Sequence, residues 1–520
     1  MSLWLAVALP ALPLQLATRA LDTLAQSMPV AVIDGPAQRP LVACCNAAAQ
    51  AAGVAPGLKL AAAQALAQDL VALRRNPAHE GEALQELAAW ACQFSAQVTP
   101  LDEPGGTQGL LLEIGGSLSL FGGRHRLTQL LRRDLAQLGY HAELGAAPTP
   151  RGAWLIAVAR SRGTQVADAL STTELAATLK RLPLPLAQSL GLDEATRHAL
   201  QSLGLRRLGD LLALPRAELQ QRFGPRLFDG LDRALGRKPD PQPPFEPPAQ
   251  FVAGIELPAD LTDAEQLMFP ARRLLASLEG FLRGRNAGAT ELLFSAHHSP
   301  RRTLPTPPTE IALKLAAPER DAQRLARLLA ERLTRVQLPE PAIALRLAVE
   351  QLQPFAAVNN SLLPPAPDET GPGGAGHDWL QLAETLHARL GSERVFQLQV
   401  VDDHRPEHAS RAVPLAVHAQ QGTALPPARP AAPRPLLLLP APRPLRATAE
   451  QPSYDGPLTL VTGPERIEAG WWDFDSPAAG KPRQAVHRDY FVARNPQGQL
   501  LWIFRELTAP RGWFLHGFFA

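Results

Sequence analysis

The chain has few cysteines, little net charge and no long apolar run. Three cysteines among 520 residues, Cys44, Cys45 and Cys92, fit neither a disulfide framework nor a zinc site, and we expect reduced thiols in a cytoplasmic protein. A net charge of +2 excludes a polycation, so nucleic-acid binding must come from local patches. No stretch reaches the roughly 18 apolar residues of a membrane span. Pro10 and Pro13 interrupt the apolar N-terminus, which also lacks the basic segment of a signal peptide.

Proline, by contrast, is abundant, and apolar residues make up 46% of the chain. A chain of 520 residues is too long for one core, so several domains are expected. The 52 prolines, about twice an average share, indicate linkers between them.

The apolar pattern predicts an α+β multidomain protein. Short apolar runs predict strands at Leu3–Leu9, Val30–Ile33, Leu41–Cys45, Leu110–Ile114 and Leu118–Phe121. Amphipathic spacing predicts helices near Glu82–Phe94 and His125–Leu138, and short helices from Thr172 to Gly236. After a proline-rich linker at Pro239–Pro248, a second α/β unit is expected. Its predicted helices are Asp263–Arg283 and Glu319–Thr334, and its predicted strands are Thr290–His297, Ile311–Leu315 and Ile343–Val349.

The last third changes character. Pro414 to Pro452 is rich in Ala and Pro and reads as a linker, with one exposed apolar island at Leu436–Leu439 that could dock on a partner. An aromatic tail follows, in which YFVARNPQGQLLWIF predicts a hairpin turning at Asn495–Gly498. A small β-rich terminal domain is expected.

Several segments resemble Y-family DNA polymerases. PVAVIDGPAQRPLVACCNAAAQAAGVAPGLKLAAAQAL (Pro29–Leu66) is similar to the fingers region, and EIGGSLSLFGG (Glu113–Gly123) to a palm segment. The resemblance implies a palm at 1–28 and 78–168, fingers at 29–77, and a thumb with a degenerate helix-hairpin-helix at 169–238. It further implies a linker at 239–250, a little finger at 251–353, an extended region at 354–452 and a terminal domain at 453–520.

The second half resembles one subgroup, the bacterial ImuB family. The similar segments are HRPEHASRAVP (His404–Pro414), RPLLLLPAPRPL (Arg434–Leu445), GWWDFDSP (Gly470–Pro477), RDYFVA (Arg488–Ala493) and WFLHGFFA (Trp513–Ala520). The resemblance implies a role in DNA damage tolerance and induced mutagenesis. It also implies three protein partners: the sliding clamp, an ImuA-type RecA-like protein and a DnaE-type polymerase.

The residues for nucleotidyl transfer are missing at the matching positions. That reaction needs two Mg²⁺ ions held by carboxylates. The aspartates of the family's first strand fall on Ala6 and Ala8, and its later Asp-Glu pair falls on Gln108 and Gly109. Only Glu113 is acidic there, and it matches a non-catalytic position. No metal or other cofactor is therefore expected.

The nucleotide contacts are missing as well. The family's Tyr and Arg for the triphosphate fall on Ala47 and Gln50, and its aromatic sugar gate falls within Leu9–Leu12. Gln cannot replace the charge of Arg toward phosphate. A displaced metal site at Asp102-Glu103 is the alternative, although a flexible Pro/Gly turn is poorly suited to fix Mg²⁺ geometry.

Candidate DNA contacts lie in two places. In the thumb-like hairpin Gly191 is kept, but a second Gly is replaced by Asp193, whose charge should repel phosphate. The alternative for this hairpin is a purely structural helix turn. Arg206 and Arg207, on the following turn, are better phosphate candidates. In the little-finger-like unit the candidates are Arg272, Arg273, Arg283, Arg285, Arg301 and Arg302. The alternative for these six is a solvated helix face; phosphate contacts would be salt-sensitive and sequence-independent.

The clamp-binding peptide of the family is matched loosely. Ser361, Leu362 and Leu363 stand in the expected place after the little finger, with Leu for Phe. SLSLF (Ser117–Phe121) is closer to the consensus, but we expect it to be a buried strand of the palm. The sequence thus favours a polymerase-shaped scaffold without activity, in the cytoplasm. The alternatives are an active error-prone polymerase with a divergent metal site and an adaptor that does not touch DNA.

Overall fold

The computed structural model describes residues 2–20, 28–102, 107–190, 192–223, 226–299, 306–355, 382–383, 385–386, 389–390, 394–414, 434–448, 450–470 and 485–519. The chain forms two compact units, Met1–Arg389 and Leu390–Ala520.

A four-stranded antiparallel sheet forms the centre of the first unit. Its strands stand in the order β5-β6-β1-β7 and are β1 (Trp4–Leu9), β5 (Val98–Leu101), β6 (Gln108–Glu113) and β7 (Glu143–Ala147). Every residue of β1 is buried, because β1 lies between two strands and both faces are covered. Its side chains alternate between the two cores, as the strand geometry requires.

Helices cover both faces of this sheet. Leu5, Val7 and Leu9 pack with α1 (Leu12–Thr18), α4 (Pro77–Ala91) and α5 (Arg124–Gln137). The opposite face packs against α6 (Pro150–Ser161), which begins at a Thr149 side chain that accepts the Gly152 N–H. Trp154 of α6 is the largest fully buried side chain there.

A small sheet follows β1 in the chain. It has the order β3-β2-β4 and contains β2 (Val30–Asp34), β3 (Leu41–Cys45) and β4 (Val71–Arg74), with the helices α2 (Ala47–Ala51) and α3 (Leu60–Leu66). It has a separate core, which includes Val42, Ala49 and Val54.

Five short helices form the next region: α7 (Thr172–Arg181), α8 (Glu194–Ser202), α9 (Leu208–Leu212), α10 (Arg216–Phe223) and α11 (Arg226–Ala234). A 3-10 turn at Leu184–Leu190 precedes α8. Their leucines share one core with α6, so this helical region is built onto the back of the central sheet.

A second α/β layer completes the first unit. The sheet order is β10-β9-β11-β8, with β12 beside β9. The elements are β8 (Phe251–Leu261), α12 (Met268–Gly284), β9 (Ala287–His298), β10 (Thr309–Glu319), α13 (Ala322–Leu333), β11 (Ala342–Val349) and β12 (Leu352–Pro354). Helix α12 packs so closely on α4 that a Cβ at Gly280 would lie 2.1 Å from Cδ1 of Trp90.

The second unit is β-rich. A hairpin of β13 (Phe396–Val400) and β14 (Ser410–Pro414) precedes a six-stranded sheet of order β16-β15-β20-β19-β18-β17. Its strands are β15 (Leu437–Thr448), β16 (Gln451–Ser453), β17 (Thr459–Ala469), β18 (Val486–Arg494), β19 (Leu500–Glu506) and β20 (Gly512–Phe518). The predicted hairpin is confirmed as β18 and β19.

Two sequence-based expectations differ from the structure. Leu118–Phe121 is not a strand but part of a turn that leads into α5, and the Leu120 side chain is 80% exposed. Leu437–Leu439 is not free linker, because it begins β15 and pairs with β20. Prolines are tolerated in β15 because the strand is irregular, with a register shift between Leu438 and Arg443.

Candidate functional site

The positions that match polymerase carboxylates do meet in the structure. Strands β1 and β6 pair so that Ala8 lies opposite Gly109 and Leu9 opposite Gln108, with Ala6 two residues away on β1. Ala6 and Ala8 have no exposed surface and face the α6 side of the sheet. The matched positions are therefore neighbours on two paired strands, and Ala6 and Ala8 among them lie inside an apolar core.

The space at Gly109 is already occupied. A Cβ added there would lie 1.9 Å from the Val7 carbonyl oxygen and 2.9 Å from Cζ3 of Trp154. No side chain fits at such distances without moving the β1 backbone. Trp154 is 2% exposed, and its Nε1 has no hydrogen-bond partner among the described residues. The indole therefore contributes volume rather than polar contacts at this position.

Gln108 and Glu113 have structural partners. The Gln108 amide donates to Asp102 at 2.9 Å, so Asp102 faces an amide rather than a second carboxylate. Glu113 accepts the N–H groups of Leu3 and Gly115, which closes the turn after β6. Among the described residues no group of three His, Cys, Asp or Glu side chains could hold a metal ion. Glu103, the partner of Asp102 in the displaced-site hypothesis, lies outside those residues.

The expected triphosphate side carries no free cation at the matched positions. Ala47 and Gln50 are exposed on α2, where the Gln50 amide donates to the Cys45 carbonyl at 3.1 Å. Arg75, next to β4 in the same sheet, is held by Glu80 at 2.7 Å and Asp34 at 3.2 Å. Its charge is therefore neutralised within the protein.

The thumb-like helix N-terminus that could hold phosphate is capped by its own chain. The Asp193 carboxylate accepts the Thr196 N–H at 2.7 Å and the Thr196 hydroxyl at 3.0 Å. Both hydrogen bonds lower the pKa of Asp193, the Thr196 N–H more than the hydroxyl. The carboxylate therefore stays charged to a lower pH than an ordinary aspartate. An anion at this helix end would meet a carboxylate in place of free amides. Gly191 lies outside the described residues.

A second carboxylate closes the next turn. Asp210 accepts the backbone N–H groups of Arg206 and Arg207, both at 2.9 Å, and these bonds lower its pKa. The two arginine side chains are exposed. Phosphate contact at this turn is thus restricted to side chains.

The four little-finger arginines that the structure describes have different environments. Arg272 is exposed, whereas Arg283 pairs with Glu279 at 2.5 Å. Arg285 donates to the carbonyls of Pro247 and Pro248, which fixes the preceding linker. Arg273 points inward over the Phe269 ring, 4.5 Å from its centroid. Arg272 is therefore the best placed of the four for a phosphate, and Arg273 is better explained as an interior residue. Arg301 and Arg302 lie outside the described residues.

Arg273 belongs to a buried polar cluster with Arg19, Tyr140 and Glu86. Arg19 donates to the Tyr140 hydroxyl and to the Gly254 carbonyl, which joins α1 to β8. Burial and the nearby Arg19 lower the pKa of Arg273 to about 10, and burial raises the pKa of Glu86 to about 7. These four charged or polar side chains hold the two sheet layers of the first unit together.

The second unit contains a polar cluster that sequence reasoning missed. Arg488 pairs with Glu407 at 2.9 Å and with Glu506 at 3.3 Å. The Tyr490 hydroxyl lies 2.8 Å from Nδ1 of the fully buried His516. Burial lowers the pKa of His516 to about 4, so the imidazole is neutral at pH 7. Glu407, Arg488 and His516 come from three segments that were noted for their family resemblance. That resemblance was the available signal for this cluster.

The clamp-peptide candidates differ in what the structure describes. Ser361, Leu362 and Leu363 lie outside the described residues. Ser117–Phe121 is a turn with an exposed Leu120, although Phe121 packs on Phe94 with ring centroids 5.6 Å apart. The reason for setting this segment aside, burial in a strand, is therefore wrong.

The whole chain has curated relatives. Over 501 residues it is 33% identical to "Protein ImuB" of Caulobacter vibrioides strain NA1000 / CB15N, a match that covers 90% of this chain and all of that protein. The chain belongs to the ImuB family. The family described as "IMS: impB/mucB/samB family" matches residues 12–158, which include Gly109 and Trp154 but begin after β1.

Relatives that are named polymerases match a smaller part. "DNA polymerase IV" of Dehalococcoides mccartyi strain CBDB1 is 30% identical over 197 residues, 38% of this chain and 48% of that one. Among solved structures, "Insertion ternary complex of Dbh DNA polymerase" covers 67% of this chain and 99% of its own, at 15% identity and a TM-score of 0.39. The chain is a DNA-damage-associated protein of the ImuB type, and part of it is similar in sequence to DNA polymerase IV. No helix among the described residues is long and apolar enough to cross a membrane.

Proposed function

We propose that this protein is a non-catalytic, polymerase-shaped scaffold in translesion synthesis and induced mutagenesis. The observation that carries the proposal is the filled centre of the β1–β6 pair. Two-metal catalysis needs carboxylates around ions about 3.5–4 Å apart. Ala8 and Gly109 provide no oxygen ligand, and Trp154 occupies the adjacent space. Both ions would have to enter an apolar core, where an unpaired charge is strongly disfavoured.

The proposal also includes DNA binding, which the protein would keep without polymerase activity. Arg206, Arg207 and Arg272 are exposed and belong to regions that match polymerase DNA contacts. Such contacts would be independent of base sequence and sensitive to salt. Because the hairpin amides are capped by Asp193 and Asp210, we expect weaker binding than that of an active Y-family polymerase.

Protein partners complete the proposed role in the cytoplasm. The family resemblance supports a bridge between the sliding clamp, an ImuA-type RecA-like protein and a DnaE-type polymerase. For the clamp, two segments compete: the Ser361–Leu363 peptide and the exposed turn at Ser117–Phe121. Leu120→Ala and a Leu362→Ala/Leu363→Ala double variant in clamp pull-downs would assign the contact.

Primer extension and gel shift with the full-length protein test the proposal together. We expect no extension with Mg²⁺ or Mn²⁺, and salt-sensitive binding of primer–template DNA. Arg206→Ala/Arg207→Ala/Arg272→Ala should weaken binding, whereas Arg335→Ala, an exposed arginine at the end of α13, should not. Template-dependent extension that Asp102→Ala abolishes would instead establish the divergent active site. Unchanged DNA affinity after deletion of residues 250–355 would rule out the little-finger contribution.

A further inference from the structure

An open groove of about 700 Å³ lies within the first unit, between α4, the linker before β8, and β8 itself. This volume is in the range of protein ligand sites. Three phenylalanines, Phe245, Phe251 and Phe281, line it. None of the residues assigned above to the polymerase-like centre contributes to it, so the groove is a separate feature.

The groove carries an excess of negative charge. Glu82, Glu246 and Glu256, from three different elements, line it. Glu86 lines it as well, but burial raises its pKa to about 7, so it carries only part of a negative charge at pH 7. Arg346 is the one arginine or lysine among the lining residues. His79 also lines the groove, but burial lowers its pKa, so it is largely neutral at pH 7 even though Glu256 lies 3.9 Å away. Phosphate groups would be repelled here, and cationic groups would be attracted.

The backbone of β8 adds a second property. Among the residues that the structure describes, strand β8 is an edge strand that pairs with β11 alone. At its centre Gly254 is already used, because its carbonyl accepts Arg19 at 2.7 Å. Since outward-pointing groups alternate along a strand, those of Val252 and Glu256 point to the same open side. The Val252 side chain is 58% exposed, and unpaired edge groups of this kind pair readily with an extended peptide.

We propose that this groove binds an extended peptide segment of a protein partner in which apolar residues alternate with Arg or Lys. Apolar side chains would contact Phe245 and Val252, because Phe251 and Phe281 are buried, and cations would reach the glutamates of α4 and β8. The peptide backbone would pair with the outward-pointing groups of Val252, on the N-terminal side of the Gly254 contact. This surface is independent of whether the polymerase-like centre is active, so the two proposals can fail separately.

Fluorescence anisotropy with the full-length protein tests this site. The probe is a fluorescein-labelled decapeptide that alternates Leu and Arg, compared with one that alternates Leu and Glu and with deca-arginine. We expect the Leu/Arg peptide to bind most tightly. Glu82→Gln/Glu256→Gln should weaken it at least fivefold.

Matched controls make the outcome decisive. Glu265 and Glu310 are exposed glutamates of the same unit that do not line the groove, and Glu265→Gln/Glu310→Gln should leave the affinity unchanged. Three results would overturn the proposal: equal weakening by both double variants, deca-arginine binding as tightly as the Leu/Arg peptide, or no binding up to about 1 mM. Val252→Asp gives an additional check, because it should also weaken binding without altering the α4 carboxylates.

Discussion

The centre of the four-stranded sheet and the polar cluster of the six-stranded sheet differ in the kind of side chain that each buries. At the first, alanine, glycine and an indole without a polar partner fill the place where carboxylates would stand. At the second, Glu407, Arg488 and Tyr490 surround a fully buried His516. Apolar packing at the first centre stabilises the fold without specific chemistry. The hydrogen-bonded cluster requires its partners in register, since buried polar groups are stable only when paired.

The difference indicates where specificity resides in this chain. Apolar packing maintains the centre of the sheet in the first unit, whereas charged pairs fix the arrangement of the strands in the second unit. Substitutions should therefore act differently in the two regions. In the first, added polarity is the damaging change; in the second, removed polarity is.

The largest effect is expected for Gly109→Asp. The new Cβ would collide with the Val7 carbonyl and Trp154, so the free energy of unfolding of the first unit should fall by more than about 4 kcal/mol. Chemical denaturation of the full chain measures it. Gly116→Ala is the control, because the nearest atom to its Cβ would be 4.0 Å away. A Gly109→Asp variant with unchanged stability would show that the centre is open.

The next effect is expected for Arg488→Met. This arginine is 13% exposed and faces two carboxylates, and leaving buried charges unpaired destabilises by about 3 kcal/mol. Hydrogen exchange of β18 and β20 in the full chain should rise accordingly. Arg505→Met removes a more exposed pair, with Glu450, and should change exchange little. Equal effects of the two substitutions would contradict a special role for the cluster.

The contributions of His516 and Glu86 to stability should depend on pH with opposite signs. His516 has a folded pKa of about 4, below its ordinary value of 6.5, so the unfolded chain binds the proton first. The second unit should lose up to about 3 kcal/mol as pH falls from 6.5 to 4. The pKa of Glu86 is raised from 4.5 to about 7, so its contribution to the first unit falls as pH rises through that interval.

Hydrogen exchange corrected for intrinsic rates can read both units at pH 5 and pH 7. His516→Phe should flatten the response of β20, and Glu86→Gln that of α4. If the stability of β20 and that of α4 changed with pH in the same direction, His516 and Glu86 would not control the pH dependence.

The smallest effect is expected for Asp193→Asn. Asparagine keeps the helix cap but removes the negative charge, so DNA affinity should rise a few-fold at low salt. Asp263→Asn, at the cap of another turn, is the control. Lower affinity after Asp193→Asn would show that the carboxylate helps DNA binding.

Much of the fold could be predicted from local pattern. The runs at β1, β2 and β3 are apolar and bounded by turn residues, so both their existence and their extent follow. SLSLF alternates like a strand but stands between two glycine pairs, and those turns prevail. Strand β8 was not predicted, since it directly follows the proline-rich linker and its Gly254 and Pro258 are poor strand residues.

The candidate site was predictable only in part. Ala8 and Gly109 could be paired through the family resemblance, and their strands do lie side by side. The filling by Trp154 could not be foreseen, because it comes from a helix 45 residues after Gly109. Likewise, Glu407, in the turn between β13 and β14, lies near His516 of β20 through tertiary packing that no sequence spacing reveals.

The contacts around Gly109 have an evolutionary consequence. To regain a carboxylate at position 109, the chain would need a shifted β1 backbone and a smaller residue at position 154, because a Cβ there would lie 1.9 Å from the Val7 carbonyl oxygen and 2.9 Å from Trp154. Metal binding would also require carboxylates at other positions. Under the scaffold proposal, we therefore expect descendants of this chain to diversify their surfaces rather than to regain polymerase activity by single mutations.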